Sequence, residues 1–164
     1  MTYSIVYSSK TGNTKMLAEA LKAALPAEDC RYVGAPDAAA LAAERIYVGF
    51  WTDKGTCDAA TADFLSQLDK QEIFLFGTCG FGGDAAYFER ILDNVALKIP
   101  QGVRVVGRFM CVGKMPRSVR DRYEKMAEDP GKCALMQQMI ANFDAAQSHP
   151  DADDLARLVE AALV

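Results

Sequence analysis

At 164 residues, with an apolar share of 51% and a net charge of −4, the chain holds one sizeable hydrophobic core, and we expect a single domain over 1–164. It has no run of about eighteen uncharged apolar residues, and Met1-Thr2-Tyr3-Ser4-Ile5-Val6 lacks the basic start of a secretory signal, which predicts a cytoplasmic protein with no membrane partner. The negative charge argues against nucleic acid, whose phosphates demand clustered Lys and Arg, and Cys30, Cys57, Cys79, Cys111 and Cys133 are odd in number with no C-x-x-C pair, as suits a reducing compartment.

The predicted elements alternate strand and helix. Thr2 to Ser8 is an apolar first strand, and Leu17, Leu21, Ala24 and Leu25 then fall on one helical face. Cys30 to Val33 is a weaker second strand, followed by a short alanine-rich helical stretch from Asp37 to Ala43. The third strand spans Arg45 to Phe50, and the helix Thr61 to Leu68 offers Phe64, Leu65 and Leu68 to the core. The fourth strand, Glu72 to Thr78, leads to a helix with Phe88, Ile91, Leu92 and Val95 on one face, and Val103 to Val112 is the fifth strand. Met115-Pro116 then breaks the pattern. Helical segments follow at Ser118 to Ala127 and Lys132 to Ala146, divided by Asp129-Pro130-Gly131, and a final helix begins at Ser148-His149-Pro150-Asp151 with Leu155, Leu158, Val159 and Ala162 facing inward. Near-continuous apolar strands linked by helices predict an α/β fold, a parallel sheet covered on both faces.

Chemistry concentrates where strands end. In Ile5-Val6-Tyr7-Ser8-Ser9-Lys10-Thr11-Gly12-Asn13-Thr14 a strand runs directly into a helix. Unpaired N–H groups and the positive helix end suit a dianionic phosphate there; Gly12 allows close backbone approach, and Ser9, Thr11 and Thr14 offer hydroxyls. Helix capping alone is the plainer alternative. The loop is neither G-x-G-x-x-G nor G-x-x-x-x-G-K-[ST], which removes simple nicotinamide and ATP readings.

Ser9-x-Thr11-Gly12-Asn13-Thr14 after the first strand resembles the FMN-phosphate loop of flavodoxins. The resemblance implies a doubly wound, five-stranded sheet in the order 2-1-3-4-5, with FMN at the carboxyl ends of the strands and extra helices after strand 5. Two further loops are then expected to hold the flavin ring. After the third strand come Phe50, Trp51, Thr52, Asp53, Lys54 and Gly55, with Trp51, the only tryptophan, nearer the ring and Phe50 turned inward. After the fourth come Thr78, Cys79, Gly80, Phe81, Gly82, Gly83 and Asp84, then Tyr87; glycines there bring backbone amides to the polar edge of a ring. Together with Gly49-Phe50-Trp51 and Cys111-Val112-Gly113-Lys114-Met115-Pro116, these segments resemble a bacterial subgroup of short flavodoxin-like proteins, some of them linked to bilirubin reduction. Lys10 and Lys54 are departures, basic where electron-transfer flavodoxins are usually neutral or acidic.

The expectation is therefore an FMN-binding carrier shuttling electrons between a reductase and an acceptor enzyme, with no catalytic residue and no metal ligand of its own. The rivals are an FMN-dependent NAD(P)H reductase of quinone or another small acceptor, and an accessory flavodoxin for one specific reductase. A phosphoacceptor signalling domain would need acidic residues where Ser8-Ser9 and Phe50-Trp51 stand. Six basic residues from Arg108 to Lys125 against Asp121 and Glu124 suggest a docking surface. His149, the sole histidine, reads as a capping or surface residue, with no metal-ligand cluster around it.

Overall fold

The computed structural model describes residues 1–164 other than Gly83. Strands β1 (Tyr3–Tyr7), β2 (Cys30–Gly34), β3 (Arg45–Asp53), β5 (Glu72–Cys79) and β6 (Arg104–Val112) lie parallel in the order β2-β1-β3-β5-β6, and a two-residue strand β4 (Thr56–Cys57) pairs back on β3. With β4 set aside, this is the doubly wound order 2-1-3-4-5. The helices are α1 (Asn13–Ala24), α2 (Ala59–Leu65), α3 (Ala85–Ala96), α4 (Arg117–Met126), α5 (Cys133–Ala146) and α6 (Ala152–Ala162), with 3₁₀ turns at Ala27–Asp29 and Ala38–Ala42.

Strand residues alternate between two cores. Val6, Ile46, Val48, Phe50, Ile73 and Leu75 pack against Phe64 and Leu65 of α2 and Ile91, Leu92 and Val95 of α3. Tyr3, Ile5, Tyr47, Phe74 and Phe76 face the other way, against Leu17 and Leu21 of α1 and Leu158 and Ala162 of α6. The period-2 reversal of side chains lets one continuous apolar strand feed both layers. Each large core side chain contributes about 1.5–3 kcal/mol of transfer free energy.

The end of the third strand and both ends of α2, which stops at Leu65 rather than Leu68, depart from the sequence-based expectation. The third strand runs to Asp53 rather than stopping at Phe50, because a tight hairpin pairs Thr52 with Cys57 and Asp53 with Thr56. Lys54 (φ 53°) and Gly55 (φ 83°) both take the left-handed conformation, the pairing of dihedrals that matches the twist of a two-residue hairpin and suits Gly at the second position. The α2 helix begins at Ala59, two residues early, because the Asp58 side chain caps it by accepting from the Thr61 N–H at 3.2 Å and the Thr61 hydroxyl at 2.8 Å.

The material after β6 forms a helical hairpin. Helix α4 has no buried residue; α5 carries Met136, Phe143 and Ala146 inward. Arg120 of α4 bonds Asp144 of α5 at 2.9 and 3.1 Å.

Candidate functional site

The first turn of α1 and the carboxyl ends of β3 and β5 are tied together by threonines. Thr14, 1% exposed, donates to the Phe50 carbonyl at 3.1 Å and shares a hydrogen bond of 3.0 Å with the Thr78 hydroxyl. Thr52 donates to the Thr78 carbonyl at 2.9 Å. The Thr14 hydroxyl, expected from sequence to meet a phosphate, is thereby committed to the scaffold, and only its backbone N–H remains for an anion.

The loop preceding α1 is shaped differently from a simple cap. Gly12 is the N-cap in the left-handed conformation (φ 92°), makes no side-chain cap, and has open space where a Cβ would stand. The Ser9 hydroxyl accepts from the N–H groups of Gly12 (3.1 Å) and Lys15 (3.3 Å). Among the described residues, the Asn13 and Thr14 N–H groups have no protein acceptor, which leaves two donors at the positive end of the helix. A shallow cavity of about 480 Å³ opens beside this loop, lined by Ser8, Ser9, Gly12 and Lys15.

A second cavity, about 430 Å³, is lined by other residues of the same loop and by the ends of β3 and β5. Of the residues expected from sequence, Lys10, Thr11, Asn13, Trp51, Thr52, Thr78, Cys79 and Gly80 line it. Lys10 Nζ stands 5.1 Å from the centroid of the Trp51 ring, within cation–π range. Asn13 donates from Nδ2 to the Lys114 carbonyl at 2.8 Å, while its buried Oδ1 has no partner.

Other expected residues lie elsewhere. Phe50 is wholly buried, so a ring stacked at the surface cannot touch its side chain; its inward turn follows from strand alternation beside Trp51. Asp53, Lys54 and Gly55 form the hairpin turn, where Asn94 Nδ2 donates to the Gly55 carbonyl at 2.9 Å. Phe81, 43% exposed, meets Tyr87 edge-on at 6.2 Å, and Tyr87 also packs against Gly82. These three flank the cavity's Gly80 side without lining it. Gly83 lies outside the described residues.

The far wall is less legible in the sequence. It is built by Gly113, Met115 and Pro116 of the turn after β6, with Val119 and Arg122 of α4. The turn is pinned by Gly113 N–H donating to the Cys79 carbonyl (2.9 Å) and Lys114 N–H donating to the His149 carbonyl (2.8 Å), and α5 is held to the loop after β5 by Asn142 Nδ2 donating to the Gly80 carbonyl (3.0 Å). Pinning of this kind needs contacts 34, 35 and 62 residues apart, which no local pattern carries.

Burial pushes the Cys79 thiol up to about 12 and raises Cys111 as well, so both stay protonated and unreactive. His149 stands at the start of α6, in keeping with the expected capping or surface role, with Nδ1 2.6 Å from Asp154 Oδ2; contrary to the expectation of no ligand-type cluster, His149, Asp151 and Asp154 present ligand-type atoms within 4.8 Å of one another. Those carboxylate oxygens already serve a capping box at α6 and the Arg157 guanidinium, so the group is a helix-start clamp.

The chain matches the Flavodoxin domain family over residues 4–162 and belongs to it. It is 40% identical over 173 residues to a flavodoxin-like domain-containing protein BilS of Clostridium symbiosum (strain WAL-14163), covering 95% of this chain and 91% of that protein. A second BilS protein, from Clostridioides difficile (strain CD3), is 29% identical over 155 residues, with 92% and 88% covered. Among solved structures, a short-chain flavodoxin associated with a bacterial microcompartment aligns with a TM-score of 0.62 at 16% identity, over 99% of this chain and 95% of that one. A flavoprotein from Lactobacillus acidophilus in complex with FMN aligns with a TM-score of 0.51 at 14% identity, over 66% and 92%. Both share the fold.

Proposed function

We propose that this chain, acting as one domain, binds FMN non-covalently and carries electrons singly between a reductase and an acceptor enzyme. The observation that carries this is a flavodoxin-family chain with two cavities that share the loop before α1: one lined by Ser8, Ser9, Gly12 and Lys15, the other by Lys10, Thr11, Asn13 and Trp51. The residues fit the group. The Asn13 and Thr14 N–H groups and the open Gly12 suit a phosphate; Asn13 Oδ1, buried and orphaned, suits a sugar-chain hydroxyl; Trp51 offers an aromatic face. When bound, FMN supplies the redox chemistry.

The chain's own residues bind, orient and insulate. Hydrogen bonds among Thr14, Thr52 and Thr78 hold the strand ends at fixed spacing, so the loops they carry are preorganised. No protein side chain here is asked to donate or accept a catalytic proton. The thiols nearest the cavity are protonated and hydrogen-bonded or buried, as Cys79 Sγ shows by donating to the Phe81 carbonyl at 2.9 Å.

No helix among the described residues is long and apolar enough to cross a membrane, and five free thiols suit the reducing cytoplasm. A narrower form of the reading, implied by the subgroup resemblance, has a bilirubin-reducing enzyme as the acceptor. Purified protein is expected to be yellow and to release FMN on denaturation, and apo-protein is expected to bind FMN at micromolar levels or below; failure to bind overturns the proposal. Steady-state NAD(P)H oxidation without any partner protein would replace it with the quinone-reductase reading.

A further inference from the structure

We propose that the cofactor end of this molecule is a docking surface for an acidic redox protein, with Lys114 and Arg122 as its electrostatic anchors. The inference rests on the carrier function above and adds the chemistry of the partner.

Net charge points the opposite way. At −4, the chain as a whole repels an acidic protein. The local arrangement is reversed: the two cavities at the strand ends are lined by Lys10, Lys15, Lys114 and Arg122, with no carboxylate in either lining. A phosphate in the loop before α1 offsets charge beside Lys10 and Lys15. Lys114 and Arg122, on the far wall, keep theirs.

The ion pairs decide which cations are free. Half of the basic stretch that the sequence offers as a docking face, Arg108 to Lys125, is spent on ion pairs within the molecule. Arg108 is held by Glu89 at 2.7 Å and Asp93 at 2.9 Å, away on α3. Arg117 takes Asp121 at 3.1 Å, and Arg120 takes Glu124 and, at 2.9 Å, Asp144. The two carboxylates of α4 are therefore absorbed by Arg117 and Arg120, and Arg122 enters no ion pair among the described residues. Lys114 is likewise unpaired there, and both side chains are exposed. On the Gly80 side of the same cavity Phe81 is 43% exposed, an apolar contact across from the cationic wall, as protein interfaces combine an apolar centre with a charged periphery.

Distance favours the local charges. At physiological salt the Debye length is about 8 Å, so a partner in contact with this rim senses Lys114 and Arg122 and is screened from carboxylates at the opposite end of the sheet. Complementary patches of this kind raise association rates by about 10-fold or more.

The test uses FMN-loaded protein, reduced with dithionite without oxygen and mixed in a stopped-flow instrument with ferric cytochrome b5, an acidic probe. One electron leaves the reduced flavin, which is oxidised by one electron, and the ferric haem iron becomes ferrous. The wild-type rate is expected to fall by about 10-fold as salt rises from about 20 to about 500 mM. The double reversal K114E/R122E, at saturating FMN, is expected to lower the low-salt rate by at least about 10-fold and to abolish the salt dependence. The reversal K22E/K70E, equal in charge and placed at the opposite end of the sheet, is expected to keep the wild-type salt slope. A wild-type rate that rises with salt, equal losses in both reversals, or a wild-type rate in K114E/R122E each overturns the docking surface. Flavin absorbance before mixing reports separately on the carrier function: protein that retains no FMN removes that function and the docking surface with it.

Discussion

Thr14 shows how a residue at a ligand site can serve the scaffold instead. Its hydroxyl bridges the ends of β3 and β5 from the first turn of α1, and replacing it with valine leaves the Phe50 carbonyl and the Thr78 hydroxyl without that partner. We expect Thr14→Val to lower unfolding stability by about 1–3 kcal/mol, measured by urea denaturation of the apo-protein. Trp51 is the converse case. It is half-buried, lines the cavity, and makes its packing contact with Lys10. Trp51→Ala is expected to weaken FMN binding by about 10-fold, the loss of roughly one aromatic stacking interaction, and to leave apo-protein stability nearly unchanged. Fluorescence titration with FMN checks the first and thermal melting the second. The residue types at both positions are readable in the sequence. Which side of the loop each points to depends on strand alternation and on the approach of α1.

At the scale of elements, α6 depends on the clamp at its start. Asp151 caps the helix and Asp154 returns the bond, 2.9 Å each way. Burial alone would raise the Asp154 carboxyl, but hydrogen bonds from His149 and the Asp151 N–H hold it below the usual range. The same His149–Asp154 hydrogen bond raises the imidazole, against a smaller opposing effect of desolvation. A histidine whose folded value is raised contributes stability that is complete below the unfolded value of about 6.5 and is lost as pH climbs through the folded value. The lowered Asp154 contributes stability that is present above about 4 and is lost below it. We therefore expect the melting temperature of the wild type to exceed that of His149→Gln at pH near 6, with the difference closing as pH approaches 9. A constant difference would assign His149 a packing role only. Because the Lys114 N–H bonds the His149 carbonyl, this clamp also steadies the turn that walls the cavity. The sequence shows the acidic start of the helix. It does not show that His149, five residues before Asp154, folds back onto it.

For the whole molecule, ligand and fold are linked. On the proposed function, FMN would be held by loops from separate strands and would bind only the folded chain, so FMN at about 100-fold above its dissociation constant is expected to add about 2.7 kcal/mol of stability. That corresponds to a rise in melting temperature of roughly 5–10 °C, and differential scanning fluorimetry with and without FMN measures it. The alternation of apolar strands and one-sided helices was legible because each obeys a local period, 2 or 3.6 residues, that repeats along the chain. The loop from Ser9 to Thr14 was legible because its residues are consecutive. The far wall from Gly113 to Arg122 and the Arg120–Asp144 pair were not, since each depends on partners brought together by packing, whereas Arg117–Asp121 and Arg120–Glu124 are i,i+4 pairs within α4. A charge count along the chain treats every arginine from Arg108 to Lys125 alike; ion pairing in three dimensions separates those that are neutralised from Arg122, which is not.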